Sequence, residues 1–204
     1  MEFGHAIKRV ESYAQIYDMN QRLKEAATTD TLTGIYNRAG MYARLKSMEE
    51  DYKLAEDKKG VGVMFLDLDN FKPYNDAYGH DVGDLVLKEM ANIFRKAVGD
   101  KGFLSRYGGD EFIIITYTDD RVELEEIAQA IYRGIEEADG FTESIERILG
   151  DQIQIDDKHK INCSIGICVA NEYEGESGIE EMIKKADDSL YKVKEAGKGH
   201  YAFV

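Results

Sequence analysis

Two short acidic sets carry the first chemical signal in this sequence. Asp67 and Asp69 close an apolar run, Val61-Gly-Val-Met-Phe-Leu-Asp-Leu-Asp69, and Asp110-Glu111 directly follow the glycine pair Gly108-Gly109. Carboxylates at neighbouring strand ends suit a hard divalent cation such as Mg²⁺, which prefers oxygen ligands and keeps substrate phosphates among them. Asp110 and Glu111 have opposite parity in an extended chain. One can therefore face a cation shared with Asp67 while the other points elsewhere, toward an attacking hydroxyl. Any one of these acids alone would be an ordinary solvated turn residue; the set beside apolar strands is harder to dismiss.

Three lysines form the opposing set. Lys72 sits near the start of a short helix, where free backbone N–H groups also attract anions. Lys194 and Lys198 lie four apart at the end of the last helix, where a contact with the helix carbonyls is the plainer explanation. Asn75 and Asp84 have the chemistry to read a purine edge. A carboxylate accepts from the guanine N1–H and N2–H₂ donors, and an amide both donates and accepts. A place in the first turn of a helix would explain Asp84 equally well.

The elements that must position these groups follow from periodicity. Residues 5 to 29 are polar and helix-favouring, with Tyr13, Ile16, Asn20, Leu23 and Ala27 at 3,4 spacing, and predict a projecting helix able to pair with a copy of itself or to pack on its own domain. A turn-rich segment from Asp30 to Arg38 leads into a helix over 39 to 56. Val61 to Asp69 is apolar on both parities, as a central strand covered on both faces must be. Pro73 suits the first turn of a short helix, and Val82, Leu85, Val86, Met90, Ile93 and Phe94 mark a longer one over 81 to 98. Two strand-like runs around Gly108-Gly109 predict a tight hairpin over 103 to 117, the glycines accepting positive φ. A helix over 122 to 138, a hydrophilic stretch, a strand over 160 to 170, a solvated acidic loop over 171 to 178, a helix from Ile179 to a stop at Gly197 and a short strand over 200 to 204 complete the order.

Composition excludes some partners. The chain has 204 residues, 26 Lys+Arg against 40 Asp+Glu, and a formal net charge of −14. That balance argues against nucleic acid and anionic membrane surfaces, while a placed cation and a few lysines can still reverse the field inside one cleft. With 43% hydrophobic residues the chain can bury one real core, and no run reaches the ~20 apolar residues of a membrane span. A cytoplasmic protein without direct membrane insertion is expected. Cys163 and Cys168, roughly 16 Å apart along a strand, cannot pair and are expected to be buried reduced thiols.

Arg106-Tyr-Gly-Gly-Asp-Glu-Phe112 resembles the signature of GGDEF-domain diguanylate cyclases. Asp30-Thr-Leu-Thr-Gly-Ile-Tyr-Asn-Arg38 is similar to that family's opening motif, Asp67 to Asp84 to its nucleotide-binding stretch, and Ser164-Ile-Gly166 and Ala186 to Lys194 to its later motifs, so the resemblance runs in order over residues 28 to 203. It implies an α+β (α/β sandwich) fold like the ferredoxin-like palm of nucleotide cyclases, a mostly antiparallel central sheet flanked by helices. It further implies a division into a signalling helix, residues 1 to 29, and a GGDEF domain, residues 30 to 204. By the same resemblance two GTP condense to cyclic di-GMP and two pyrophosphates across a homodimer, as the output of a bacterial signalling protein with an upstream sensory or receiver domain. Asp67, Asp110 and the Leu68 carbonyl would hold Mg²⁺, or Mn²⁺ in its place. Asn75 and Asp84 would recognise guanine, and Lys72, Lys194, Lys198 and backbone amides near Phe71 would hold phosphates. Gly108 and Gly109 would shape the signature loop, and Glu111 would assist deprotonation of the 3′-hydroxyl.

Two departures from the family pattern qualify this. Lys198 stands where the family usually has Arg, keeping the charge and losing the bidentate fork. Gly99 and Gly102 replace the Arg and Asp of the family's inhibitory site, so no product inhibition through that site is expected. A catalytically silent GTP-binding sensor and a related cyclase with another nucleotide product are the alternatives.

Overall fold

The computed structural model describes residues 2–54, 60–150 and 160–204. Its elements are α1 (Glu2–Thr28), α2 (Arg38–Leu54), β1 (Val61–Asp69), α3 (Phe71–Tyr78), α4 (His80–Val98), β2 (Gly102–Gly108), β3 (Glu111–Thr116), α5 (Arg121–Glu137), α6 (Thr142–Leu149), β4 (Asn162–Ala170), α7 (Gly175–Glu195) and β5 (Tyr201–Phe203). The last two residues of the helix expected over 39 to 56 lie outside the described residues.

The strands form one sheet in the order β2-β3-β1-β4-β5. Every pairing is antiparallel except that of β4 with β5. β1 is central, as its apolar residues on both parities require. Met64, Leu66 and Leu68 face α4 and α5 together with Phe112, Ile114, Cys163, Ile165 and Ile167. Val61, Val63 and Phe65 face α2 and α7 together with Phe103, Ile113, Ile115 and Cys168. The two cysteines are free, buried and on opposite faces of the sheet, as their odd separation dictates. This is an α+β palm of a mostly antiparallel sheet between two helical layers.

The layer of α2 and α7 is held close to the sheet by a missing side chain. A Cβ on Gly166 would fall 1.9 Å from the Ala186 carbonyl oxygen and 2.5 Å from the Leu190 amide nitrogen, so only glycine lets α7 lie against β4 at this distance. Two turns further along α7, that approach decides where Lys194 ends.

Three connections differ from expectation. The acidic stretch 171 to 178 is no solvated loop. Tyr173 is buried, its hydroxyl donates to the Leu45 carbonyl at 3.2 Å, its ring meets Tyr52, and α7 already begins at Gly175. The hydrophilic stretch after α5 contains a 3₁₀ turn, Asp139–Phe141, and α6, because Phe141 and Ile145 reach the core despite few apolar neighbours in sequence. In the hairpin only Gly109 takes a positive φ, 49°; the two-residue turn is Gly109-Asp110, with a register shift between Arg106 and Gly108.

α1 projects. Tyr13, Ile16, Tyr17, Met19 and Leu23 are all more than half exposed along it. Its end is gripped: Asn37 Nδ2 donates to the Ala27 and Thr29 carbonyls at 3.0 and 3.1 Å, and its backbone N–H to Thr28 at 3.0 Å. Among the described residues no helix is long and apolar enough to cross a membrane.

Candidate active site

β1 leaves the core at its carboxyl end, and there the register does the first piece of assembly. Asp67 lies directly opposite Glu111 on β3 and opposite Ser164 on β4. Side chains opposite one another share a face, so Asp67 and Glu111 point to the same side, that of α7. Asp110 joins them from the turn, its carbonyl accepting the Leu68 N–H at 3.3 Å. Asp110 belongs to the turn, where the strand alternation behind the parity argument does not apply.

Lys194, at the end of α7, places its ammonium 2.5 Å from Asp67 Oδ1, with side-chain exposures of 34% and 14%. The helix-end explanation for this lysine is thereby replaced by a specific partner. Burial nevertheless pushes the Asp67 carboxyl above its usual range; the Lys194 contact opposes the shift, and the nearby Asp110 and Asp69 carboxylates add to it. Glu111 is raised likewise, by burial first and then by the Asp67, Asp110 and Asp187 carboxylates, with Lys194 again opposing. One ammonium does not balance this much negative charge.

Asp69 shares parity with Asp67 and has a different fate. Its side chain accepts the Ser164 hydroxyl at 2.8 Å and the Gly199 N–H at 2.9 Å, and the residue is 3% exposed. Asp69 therefore ties β1, β4 and the turn after α7 together and is no free ligand. The next residue, Asn70, takes a left-handed φ of 62° at the corner into α3, and Lys198, itself at φ 65°, donates from Nζ to Asn70 Oδ1 at 3.1 Å. Lys198 thus lies beyond the helix end and close to the start of α3. There the N–H groups of Phe71 and Lys72 have no carbonyl four residues back to bond, and Pro73 has no N–H at all. Lys72 is exposed beside them. This corner gathers cations and free donors from residues more than a hundred positions apart.

α3 and α4 meet across Gly79. Asn75 is half-buried on α3, and Gly83 of α4 lies against it. Asp84 is exposed in the second turn of α4, not its first, so the helix dipole accounts for it less well than the sequence suggested.

The signature turn is held from outside the acidic set. Arg106 donates from Nε to the Gly109 carbonyl at 2.9 Å and from one terminal nitrogen to both Asp30 oxygens at 3.1 and 3.2 Å. Asp30 also accepts the Thr33 N–H and hydroxyl at 2.9 and 2.7 Å. Burial works against the Asp30 charge, yet the Thr33 hydrogen bonds and the Arg106 guanidinium hold its carboxyl below the usual range. Asp30, Arg106, Ser164 and Gly166 are missing from the set the sequence nominated. Each lies inside a quoted motif, which was the available signal, but nothing in spacing tells that Asp30 meets a residue 76 positions on.

Among the described residues no three His, Cys, Asp or Glu side chains form a closed metal cage. Asp67, Asp110 and the Leu68 carbonyl offer two carboxylates and a carbonyl, an open all-oxygen set whose charge is under-compensated. That chemistry fits a divalent cation which keeps waters and substrate oxygens as its other ligands.

Comparison with known proteins matches residues 27–200 to the family described as "Diguanylate cyclase, GGDEF domain". Diguanylate cyclase A of Treponema denticola is 30% identical over 94% of this chain and 48% of its own length. Cyclic di-GMP phosphodiesterase PdeR of Escherichia coli is 32% identical over 89% of this chain and 24% of its own. The chain thus spans less than half the length of these curated relatives. Among solved structures, the coiled coil and GGDEF domain of DgcB from Caulobacter crescentus, in complex with c-di-GMP, superposes with a TM-score of 0.74 at 21% identity, covering 98% of each chain. At that identity the likeness carries the fold.

Proposed function

Because the chain belongs to the GGDEF domain family of diguanylate cyclases, we propose that it condenses two GTP into cyclic di-GMP with release of two pyrophosphates, each domain of a homodimer holding one nucleotide. The observation that carries this reading is the meeting of Asp67 and Glu111, from two paired strands, with Asp110 of the turn beside the Lys194 ammonium. In-line attack of a 3′-oxygen on an α-phosphate needs charge stabilisation more than covalent catalysis, and this corner supplies it.

Asp67, Asp110 and the Leu68 carbonyl would hold Mg²⁺, with Mn²⁺ as its substitute. Bound there, the cation would neutralise triphosphate charge and favour the ionised 3′-oxygen. Lys194 exchanges its Asp67 partner for the phosphates. Lys198, Lys72 and the Phe71 and Lys72 amides bind the distal phosphates. Asn75 and Asp84 read guanine. Glu111, its carboxyl raised above the usual range by burial and the neighbouring carboxylates, accepts the proton from the 3′-hydroxyl as the new P–O bond forms; the bond to the β-phosphate oxygen breaks and pyrophosphate leaves with the electron pair. Repeated across the dimer, the step closes the ring.

Residues 1 to 29 serve as the signalling helix of a domain that begins at Asp30. Asn37 hydrogen-bonds the end of α1, the carbonyl of the adjacent Tyr36 accepts the Arg106 N–H, and Arg106 holds the signature turn, so rotation of α1 bears on the turn that carries Asp110. An upstream sensory or receiver domain would supply that rotation. Incubation with GTP and Mg²⁺ over a range of protein concentrations tests the proposal. Product is expected to rise steeply with concentration; no cyclic di-GMP from an enforced dimer would overturn it.

A further inference from the structure

The lysines of the acidic corner stand on one side of it, Lys194 against Asp67, Lys198 against Asn70 and Lys72 at the start of α3. On the other side, where the sheet ends at β2, Arg106 is committed to Asp30 and to the Gly109 carbonyl. A second arginine stands there with its charge unmatched. Arg38, the first residue of α2, is exposed and carries its guanidinium 4.6 Å from the centre of the Tyr107 ring. Tyr107 packs on Phe65 and so lies on the sheet face that Asp67 and Glu111 share. The next residue, Gly108, lies against the Glu111 carboxylate, where a Cβ would fall 3.7 Å from Oε2. Across the sheet the order is therefore lysines, Asp67, Glu111, Tyr107 and Arg38. Arg38 hydrogen-bonds Tyr42, whose hydroxyl donates to Glu180 Oε1 at 3.3 Å, and among the described residues it has no ion-pair partner. Stacking on a ring fixes the guanidinium plane and leaves N–H groups at its edge for an anion.

We propose that Arg38 is a catalytic residue which one copy of the chain supplies to the nucleotide held by the other, its guanidinium binding the α-phosphate under attack. The proposal rests on the reading of GTP condensation across a homodimer. In that reading a chain's own triphosphate lies with its lysines and its 3′-hydroxyl at Glu111, so the α-phosphate that this hydroxyl attacks belongs to the second copy's nucleotide. It reaches Glu111 from the side the first nucleotide leaves open, that of β2, and there Arg38 meets it. Negative charge builds on the phosphoryl oxygens as pyrophosphate departs, and a planar fork matches two of them at once. Without the second copy Arg38 faces no substrate. Its charge therefore serves the bond-forming step and not the binding of a chain's own GTP.

The test sets turnover against binding in the full chain. Turnover is measured at protein concentrations where the specific rate no longer rises, and binding by titrating the dilute chain with the α,β-methylene analogue of GTP, which cannot be turned over. Arg38→Ala is expected to lower kcat about 10²-fold, the scale of one lost charge-stabilising donor, and to leave analogue binding unchanged. Arg38→Lys, which keeps the charge without the fork, is expected to recover about tenfold of that loss. Glu180→Ala, which removes only the far end of the hydrogen-bond chain through Tyr42, is expected to turn over as wild type. An unchanged kcat in Arg38→Ala overturns the proposal outright. An equal loss in Glu180→Ala overturns it in favour of a clamp between α2 and α7, and analogue binding weakened as much as kcat overturns it in favour of contact with the chain's own nucleotide. A wild-type chain that makes no cyclic di-GMP even as an enforced dimer overturns instead the reading beneath it.

Discussion

Two carboxylate groupings lie on either side of the signature turn, and they are built on opposite principles. Asp30 has every partner a buried carboxylate needs: a guanidinium, a hydroxyl and a backbone N–H, and its carboxyl titrates low. Asp67 and Glu111 share one ammonium among several acids, and both titrate high. The first grouping stabilises the turn. The second stores repulsion that a cation and a phosphate chain would relieve, so stability is given up where binding is needed.

The contrast breaks most visibly at Glu111. Glu111→Gln is expected to lower cyclic di-GMP formation by about 10²- to 10⁴-fold, the range for a general base, in a turnover assay. The same variant is expected to melt higher than wild type at neutral pH. A carboxyl raised in the folded state binds more protons there than in the unfolded chain, so its stability contribution is full at low pH and is lost as pH rises through the folded value. The gain in melting temperature should therefore vanish below the ordinary glutamate value of 4.5 and shrink when Mg²⁺ is added. Next in size, Lys194→Ala is expected to cost about 10²-fold in kcat/KM while tightening Mn²⁺ binding without nucleotide, read by titration calorimetry, because Asp67 loses its competing cation.

Asp30→Asn tests the other grouping. It leaves Arg106 short of a charged partner in a half-buried setting and is expected to cost about 1–3 kcal/mol in denaturant unfolding, with the affinity for GTP little changed. The smallest effect is expected at the exposed Lys101–Glu126 pair, beside Gly99 and Gly102. Lys101→Ala should leave turnover and its response to added cyclic di-GMP within error of wild type, as progress curves with and without product would record.

The two groupings were unequally legible in the sequence. Asp67, Asp110 and Glu111 could be nominated because acids beside apolar strand runs contradict the pattern around them. Asp30 gave no such contradiction, since an aspartate in a turn-rich segment is ordinary. Strand β1 and the hairpin were readable from period and glycines, whereas α6 was not, because among the described residues of that stretch only Phe141 and Ile145 reach the core. Tyr173 lay hidden among glutamates for the same reason. Local pattern reports a residue's own element and face; it does not report what arrives from elsewhere in the chain.

The sequence by itself determined the order of the elements other than α6 and the turn before it, the two-sided burial of β1, the acidic strand end and the family the motifs resemble, since these depend on residues within a few positions of one another. Tertiary structure alone decided that Glu111 shares a face with Asp67, that Asp69 is consumed by Ser164 and Gly199, and that Lys194 reaches Asp67 because Gly166 lets α7 close on the sheet. Each of these is a matter of register or of helix-to-sheet distance. Such quantities are set by the packing of the whole core at once.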